Sequence, residues 1–200
     1  MPTESAIAQT RTQRKKVAIV DFDFANTSDP SYWYAYRGGG AARGMSELLI
    51  NKLVNDGTFI VTSRSALENY LRDKRITHAT IDEATAVKIG QALGVDVVIV
   101  GTVTRFNVET RRAGGSFMGF GGGSEKTKAV VQLTARMIDT KSQNIIAAMD
   151  GLGEAERSGG HGAIAGYGSG SSSGSGTDEI LSQAADNAVI KLVSQMKTRL

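Results

Sequence analysis

The sequence contains no cysteine, and it has only two histidines, His78 and His161. Without cysteine the chain forms no disulfide and offers no thiolate for catalysis, for metal binding or for a lipid anchor. His78 stands in a polar connection and His161 in a glycine- and serine-rich stretch, where solvated loop histidines are common. Two such isolated residues do not make a self-contained metal site, so we predict no metal and no cofactor.

Long apolar runs are also absent, since no stretch approaches the ~18 residues that a membrane-spanning helix needs. Nor is there a strong excess of charge: 23 lysines and arginines stand against 20 aspartates and glutamates. A nucleic-acid-binding protein normally has a denser basic face, so we predict no nucleic-acid partner. The one basic run contains Arg11, Arg14, Lys15 and Lys16. We interpret it as a solvated lead-in, with a surface for anionic lipid or nucleic acid as the alternative.

The chain does have the length and composition of one globular domain, with 200 residues of which 40% are hydrophobic. We predict that residues 1–14 are a disordered lead-in and that the domain spans residues 15–200. Within the lead-in, Ala6, Ile7 and Ala8 form a small-x-small pattern of the kind that precedes a signal-peptidase site. We therefore interpret residues 1–8 as the remnant of a trimmed signal peptide.

Hydrophobic periodicity predicts the element order β-α-β-α-α-β-β-β-α, beginning with a strand over residues 15–24 and a helix over residues 41–54. This order is typical of one α/β domain in which helices pack on a single mixed sheet. Gly101, inside a central strand, predicts a bulge or a close approach of another group to the backbone. Residues 158–176 are mostly glycine and serine, which is the composition of a linker.

Local signals also predict where two of the helices begin and end. Ser63 or Ser65 is expected to cap the second helix, and Thr80 or Asp82 the third, because their side chains accept hydrogen bonds from free backbone N–H groups. Gly94 is expected to end the third helix in the left-handed conformation that glycine adopts without steric cost.

The stretch GGSFMGFGGGSEKTK, residues 114–128, fits three interpretations: a phosphate-binding loop, a flexible linker, or the tip of a long β-hairpin. A Walker loop needs a Gly-Lys pair, whereas here Glu125 precedes Lys126. A dinucleotide fingerprint counted from Gly119 has Ser124 where its third glycine is required. The phosphate-binding interpretation is therefore excluded, and the linker and the hairpin tip remain.

No other pattern predicts catalysis. Asp21 and Asp23 lie near the end of the first strand, but no second acidic cluster supports them as a catalytic pair. We interpret them as polar residues at a strand end. Serine is abundant, yet no Gly-x-Ser-x-Gly elbow lies between a strand and a helix. We therefore predict no catalytic residue and a protein that is not an enzyme.

Four segments of the chain occur in a recognisable order: KKVAIVDFDFANTS, DGTFIVTSRSALENYLRDKRI, IGQALGVDVVIVGTV and AVVQLTARMIDTKSQNII. Together they resemble the curli-production assembly/transport (CsgG-like) family. The most specific parts are residues 59–76, 89–103 and 135–140, and the resemblance covers residues 15–153.

The resemblance implies a protein of the periplasm or outer membrane. In the curli secretion channel such domains form a homo-oligomeric ring, and each subunit adds two long β-hairpins to a shared transmembrane barrel. A loop after the first strand forms the constriction, while other members are soluble envelope proteins without the barrel. The corresponding loop here is aromatic, which implies constriction residues Tyr32, Trp33, Tyr34 and Tyr36. Packing of this loop on the domain or on a neighbour is the alternative.

The resemblance also makes residues 105–136 informative, because they are long enough for two membrane strands of ~9–11 residues and a turn. In that arrangement Arg112 would have to lie near a membrane interface. A second hairpin over residues 158–176 is weaker, and we interpret that segment as a flexible loop. The positions that would face lipid are Phe106, Val108, Phe117, Phe120, Val131 and Leu133.

We therefore predict one mixed-sheet α/β domain with helices packed on the sheet, plus extended glycine-rich β-hairpins that form part of an oligomeric barrel. The predicted function is a subunit of an outer-membrane secretion pore, which passes polypeptide through the lumen of a ring. Secreted or envelope proteins would be its partners. The alternative is a soluble periplasmic module that binds other envelope proteins without forming a pore.

Overall fold

A computed structural model describes residues 14–20, 22–24, 40–77, 81–117, 120–164 and 175–199. The strands are β1 (Lys16–Ile19), β2 (Asp23–Phe24), β3 (Ile60–Val61), β4 (Val97–Phe117), β5 (Phe120–Asp139) and β6 (Ile145–Ile164). The helices are α1 (Gly40–Asp56), α2 (Arg64–Lys74), α3 (Glu83–Ala92) and α4 (Ser175–Thr198). The predicted α/β class and element order are confirmed, with the first predicted strand divided into β1 and β2.

The described strands form one mixed sheet in the order β3-β1-β4-β5-β6, with β2 paired to β4 beside this path. β1 runs parallel to β3 and to β4, whereas β4, β5 and β6 are antiparallel neighbours. The parallel strands are apolar on both faces because helices cover both sides of this part of the sheet. The buried run from Val17 to Val20 and the run from Val97 to Ile99 show this pattern.

The two faces of the sheet have different covers. On one face, α1 and α4 pack over β4, β5 and β6, and the main hydrophobic cluster includes Leu49 and Leu53 of α1 with Leu192 and Met196 of α4. On the other face, α3 packs on the sheet through Val87, and α2 packs in turn on α3. The chain therefore has its core on the parallel half of the sheet and under α4.

The predicted helix caps are present where the structure describes them. The Ser63 side chain accepts a hydrogen bond from the N–H of Ala66 at the start of α2. The Asp82 carboxylate accepts from the N–H of Thr85 at the start of α3, at 2.7 Å. The pKa of Asp82 is lowered first by the side chain of Thr85 and then by this backbone hydrogen bond. Gly94 has φ +64° after the end of α3, as predicted.

Gly101 confirms the predicted close approach. The ring of Phe22 packs so near the backbone of this glycine that a β-carbon there would overlap the ring. The irregularity in the ladder lies slightly further on, between Val103 and Arg105, where Thr104 is an extra residue without a partner on β5. The Thr104 hydroxyl donates a hydrogen bond to the carbonyl of Gln132 at 3.3 Å.

The glycine- and serine-rich segment, residues 158–176, forms regular secondary structure at both of its ends and is not a linker there. Residues 158–164 belong to β6, and residues 175–176 begin α4. The composition was misleading because a strand that pairs along its whole length is held by backbone hydrogen bonds to β5, which glycine supports as well as any other residue. Residues 165–174 lie outside the described part of the chain.

Candidate functional site

Three adjacent strands continue beyond the core as a projecting sheet, which we call the ribbon. It consists of residues 109–117 of β4, 120–128 of β5 and 156–164 of β6. The last row with buried side chains is formed by Val108, Ala129 and Ala155. Nine residues in each strand then extend by roughly 30 Å at 3.3 Å per residue.

The core ends at this row because the side chains change character. Phe106 and Val108 of β4 point toward α4 and pack against the main hydrophobic cluster. The next positions on that face are Thr110 and Arg112, since alternate residues of a strand share a face. α4 also reaches its end here, where Glu179 lies 3.8 Å from the guanidinium of Arg157. None of the ribbon side chains whose burial the structure describes is buried, so the core ends at this row.

Cross-strand ion pairs join the strands near the base of the ribbon. On the face away from α4, Lys126 lies 2.8 Å from Glu156, and Lys128 lies 3.1 Å from Glu154. The hydrogen bond from Lys126 lowers the pKa of Glu156. On the opposite face, Arg112 Nε donates to Glu125 at 2.9 Å. Both faces of this part of the ribbon are therefore polar, and opposite charges on neighbouring strands favour the observed register.

Both long edges of the ribbon lack a strand partner within the described ranges. β6 pairs with β5 on one side. β4 pairs with β2 at Thr102 and Val103, and above that point its pairing is with β5. Edge strands of this kind present rows of backbone N–H and C=O groups to which a further strand can add. The ribbon is thus a surface suited to strand pairing with another chain.

α4 covers the lower part of β6 through close backbone contact. Gly151 and Gly153 face Ala188 and Ala184, and a β-carbon at either glycine would overlap a carbonyl oxygen of α4. The alternating glycines and the alanines four residues apart were a signal for this contact in the sequence. The open edge of β6 that remains is its upper part, in the ribbon.

Two amide side chains of α4 hold it to the same strand. Asn187 Nδ2 donates to the carbonyl of Glu154 at 3.1 Å, and Gln195 Nε2 donates to the carbonyl of Asp150 at 2.6 Å. Two backbone acceptors of β6 are thereby satisfied by the chain itself. Nothing in the sequence pattern pointed to these two amides, because both residues also fit a solvated helix face.

The residues predicted to face lipid fall into different environments. Val131 and Leu133 are fully buried beneath α4, so they are core residues in this structure and have no outward surface. Phe106 and Val108 are partly buried against the same cluster. Phe117 and Phe120 form the last paired row of β4 and β5, at the tip of the ribbon. The predicted constriction residues Tyr32, Trp33, Tyr34 and Tyr36 lie outside the described residues.

No group of three or more histidine, cysteine, aspartate or glutamate side chains in the described part of the chain is placed to hold a metal ion. Of the two aspartates near the end of the first predicted strand, Asp23 lies in β2 and Asp21 lies outside the described residues. Among the described helices, none combines the length and the apolar character needed to cross a membrane.

Comparison with known proteins assigns the chain to a family. The family model described as "Curli production assembly/transport component CsgG" matches residues 3–200, nearly the whole sequence. No curated protein matches the chain.

Several solved structures are similar at low sequence identity. The LpoB C-terminal domain from Escherichia coli is 15% identical, with a TM-score of 0.45 over 70% of this chain and 82% of that one. The PelC dodecamer from Paraburkholderia phytofirmans is 14% identical, with a TM-score of 0.42 over 90% and 86%. Lipoprotein GNA1162 from Neisseria meningitidis is 12% identical, with a TM-score of 0.44 over 92% and 99%.

Proposed function

The chain belongs to the CsgG family of curli production assembly/transport components, and we propose that it is a subunit of a homo-oligomeric secretion pore in the bacterial outer membrane. In this proposal the ribbons of neighbouring copies pair edge to edge around a ring, and polypeptide passes through the lumen. The domain below the ribbon lies in the periplasm. Secreted or envelope proteins are the cargo and the partners.

The length of the ribbon is the observation that carries this proposal. Three adjacent strands each extend nine residues beyond the last buried row, and a membrane-crossing strand needs ~9–11 residues. A three-stranded sheet with two open edges cannot enclose a lumen alone. Further copies would satisfy the backbone groups at both edges and would close the structure, which lipid requires of every spanning strand.

The distribution of charge decides which part of the ribbon this proposal inserts into lipid. The four rows next to the core contain Arg111, Arg112 and Lys126, and an outward arginine or lysine at mid-bilayer costs about 2–4 kcal/mol. In the rows above them, residues 113–117 and 120–124 contain no acidic or basic residue, and the third strand contributes only His161. The outer half of the ribbon, ending at Phe117 and Phe120, would therefore lie in the hydrocarbon. Because five rows are too few to cross the membrane, the charged rows would have to complete the crossing, with their charged side chains toward the lumen or the membrane interface.

The chain enters the aromatic loop close to the root of the ribbon, which is a suitable place for a constriction of the lumen. β2 ends at Phe24, which pairs with Val103 just below the ribbon, and α1 begins at Gly40. The intervening segment contains Tyr32, Trp33, Tyr34 and Tyr36. In a ring these segments from all copies would lie near the root of the ribbons, and the aromatic side chains would narrow the lumen there.

A soluble envelope module that binds other envelope proteins is the second candidate. The specific observation in its favour is that both faces of the ribbon carry charge near the base, with Lys126 and Lys128 on one face and Arg112 and Glu125 on the other. A strand that contacts lipid normally has one apolar face. In this alternative the ribbon projects into water and its edges bind partner strands.

Mass and conductance together distinguish the two candidates. The detergent-extracted protein would be measured by light scattering and then added to planar bilayers. The pore predicts a ring of defined stoichiometry with discrete conductance steps, which the double variant Phe117→Arg/Phe120→Arg abolishes. Ile190→Arg, at an exposed position of α4, is the matched control and should conduct normally. A monomer without conductance in every detergent would overturn the pore and support the soluble module.

A further inference from the structure

A basic cleft lies at the end of the sheet opposite the ribbon. Its volume is about 570 Å³. It is formed where β1 and β4 begin and where β5 ends, and it is lined by Arg14, Lys15, Lys16, Ile60, Gly94, Asp96, Asp139 and Lys141. The cleft includes the last part of the basic run RTQRKK, to which the proposed pore assigns no role.

The charges in the cleft are unbalanced, because four cationic side chains face two carboxylates. Both carboxylates already bind backbone N–H groups of this chain. Asp96 Oδ2 accepts from the N–H of Lys16 at 2.9 Å. Asp139 Oδ1 accepts from the N–H groups of Lys141 and Ser142, at 3.1 and 2.7 Å. These bonds fix the two acidic groups as parts of the local fold and leave an excess of positive charge toward the open side.

The cations come from two separate parts of the backbone, residues 14–16 and the turn that contains Lys141. Arg14 Nη1 donates to the carbonyl of Gly57 after α1, at 3.3 Å. Lys15 and Lys16 lead into β1, and Lys141 lies in the turn between β5 and β6, which the Asp139 carboxylate stabilises. A concave surface with cations on its different sides can surround an anionic ligand, whereas a flat run of lysines contacts it from one side.

The cleft also contains an exposed apolar side chain. Ile60 of β3 is 42% exposed, and a β-carbon at Gly94, which also lines the cleft, would meet no atom within 4 Å. An inorganic anion would gain nothing from contact with Ile60. A peptide that combines acidic and apolar side chains would use both parts of the surface.

We propose that this cleft binds an acidic peptide segment of a partner protein, with its carboxylates on Lys15, Lys16 and Lys141 and an apolar side chain on Ile60. Anionic lipid is the other source of negative charge in the cell envelope. β4 runs 21 residues from the cleft to the ribbon tip, roughly 70 Å. A membrane that holds the tip is therefore too far away to supply lipid headgroups to the cleft. This exclusion of lipid rests on the proposed function, whereas the charge and shape of the cleft are independent of it.

The test uses the full chain and a fluorescein-labelled synthetic peptide of glutamate, leucine, glycine and serine, with binding followed by fluorescence anisotropy at fixed salt. We expect Lys15→Glu/Lys141→Glu to weaken binding by roughly tenfold or more, since each reversal turns an attraction into a repulsion. Lys191→Glu, on the exposed side of α4, carries the same type of charge change outside the cleft and should alter the affinity less than twofold. A version of the peptide with glutamine for glutamate should not bind.

Three results would overturn the proposal. Equal losses of peptide affinity in the double variant and in Lys191→Glu would show that the peptide responds to the net charge of the protein and not to the cleft. Binding to vesicles that contain anionic phospholipid, lost in the double variant while the peptide fails to bind, would assign the cleft to lipid. Retention of affinity in the double variant would place the peptide elsewhere. Because none of these measurements depends on ring formation or conductance, failure of the cleft and failure of the pore are separate outcomes.

Discussion

The carbonyl oxygen of Ala184 lies against the backbone of Gly153 and occupies the space that a β-carbon at position 153 would need. Ala188 has the same relation to Gly151, one helical turn further along α4. The helix therefore rests on the backbone of β6. This contact determines how closely α4 can cover the apolar side chains of β5.

Gly153→Ala is expected to destabilise the protein by about 1–3 kcal/mol, because the new methyl group meets helix backbone that cannot rotate away. Gly159→Ala is the matched control, since it lies on the same strand with open space around its α-carbon. The control should change the free energy of unfolding by less than about 0.5 kcal/mol. Urea denaturation followed by circular dichroism measures both. Equal effects would contradict the close approach of α4.

Leu133→Ala should cost about 2–5 kcal/mol of stability, since the Leu133 side chain is fully buried under α4 and its removal leaves a cavity. Leu152 is 37% exposed on the neighbouring strand, so Leu152→Ala should cost clearly less. The comparison uses the midpoint and the slope of urea unfolding. If Leu133→Ala left stability intact and impaired only membrane insertion, Leu133 would face lipid as the sequence alone suggested.

Exchanging the charges of Lys126 and Glu156 tests whether their pair holds the ribbon together. In Lys126→Glu the two strands carry like charges at the place of a 2.8 Å ion pair. We expect amide hydrogen exchange in residues 120–128 and 156–164 to become roughly two- to fivefold faster. Lys126→Glu/Glu156→Lys should recover only part of the loss, because a lysine at position 156 would lie opposite Lys128. No recovery at all in the double variant would mean that the pair does not stabilise the register.

Stability should decrease in acid through carboxylates whose pKa is lowered in the folded state. Asp82 is held by its hydrogen bond with Thr85, Asp56 by Lys197, and Asp139 by Ser142. A lowered folded-state pKa stabilises the native state above the unfolded value of 3.8 and ceases to do so as pH falls through the folded value. Urea midpoints should therefore be level from pH 7 to about pH 5 and fall below about pH 4.

The Asp82→Asn variant isolates one of these carboxylates. Asparagine still caps α3 through its side-chain oxygen, but it has no charge to lose. Its stability should fall less steeply in acid than that of the unchanged protein. An unaltered slope would show that Asp82 contributes little to the acid sensitivity.

Much of the fold could be predicted because local signals and tertiary structure agree. Ser63, Asp82 and Gly94 act through contacts within a few residues, so their roles are visible in the sequence. Val131 and Leu133 show where the sequence stops being informative. Alternation identifies the apolar face of β5, but a face covered by lipid and a face covered by α4 have the same pattern. The helix that covers this face, α4, begins at residue 175, and its contact with β5 is visible only in the structure.

The ribbon was predictable in part for a related reason. Its first two strands alternate near the core and are adjacent in the sequence, so residues 105–136 indicate a hairpin. Its third strand depends on residues 156–164, where glycine and serine give no periodicity and pairing to β5 supplies the order. Asn187 and Gln195 were not predictable, because an amide that donates to a strand carbonyl looks the same in sequence as one that faces water.

The unpaired Thr104 adds one residue to β4 without changing the pairing above it, which bears on how this strand can change in length. Below it the odd-numbered residues of β4 face α4, and above it the even-numbered Phe106 and Val108 take over that face. Removing Thr104 would leave regular alternation, because Val103 and Phe106 would still face α4 with Arg105 between them, opposite Leu133, Val131 and Gln132 respectively. A single-residue deletion elsewhere in this part of β4 would instead turn over every side chain beyond it. Relatives that conserve this packing are therefore expected to vary the arm in steps of two residues, with matching steps in β5.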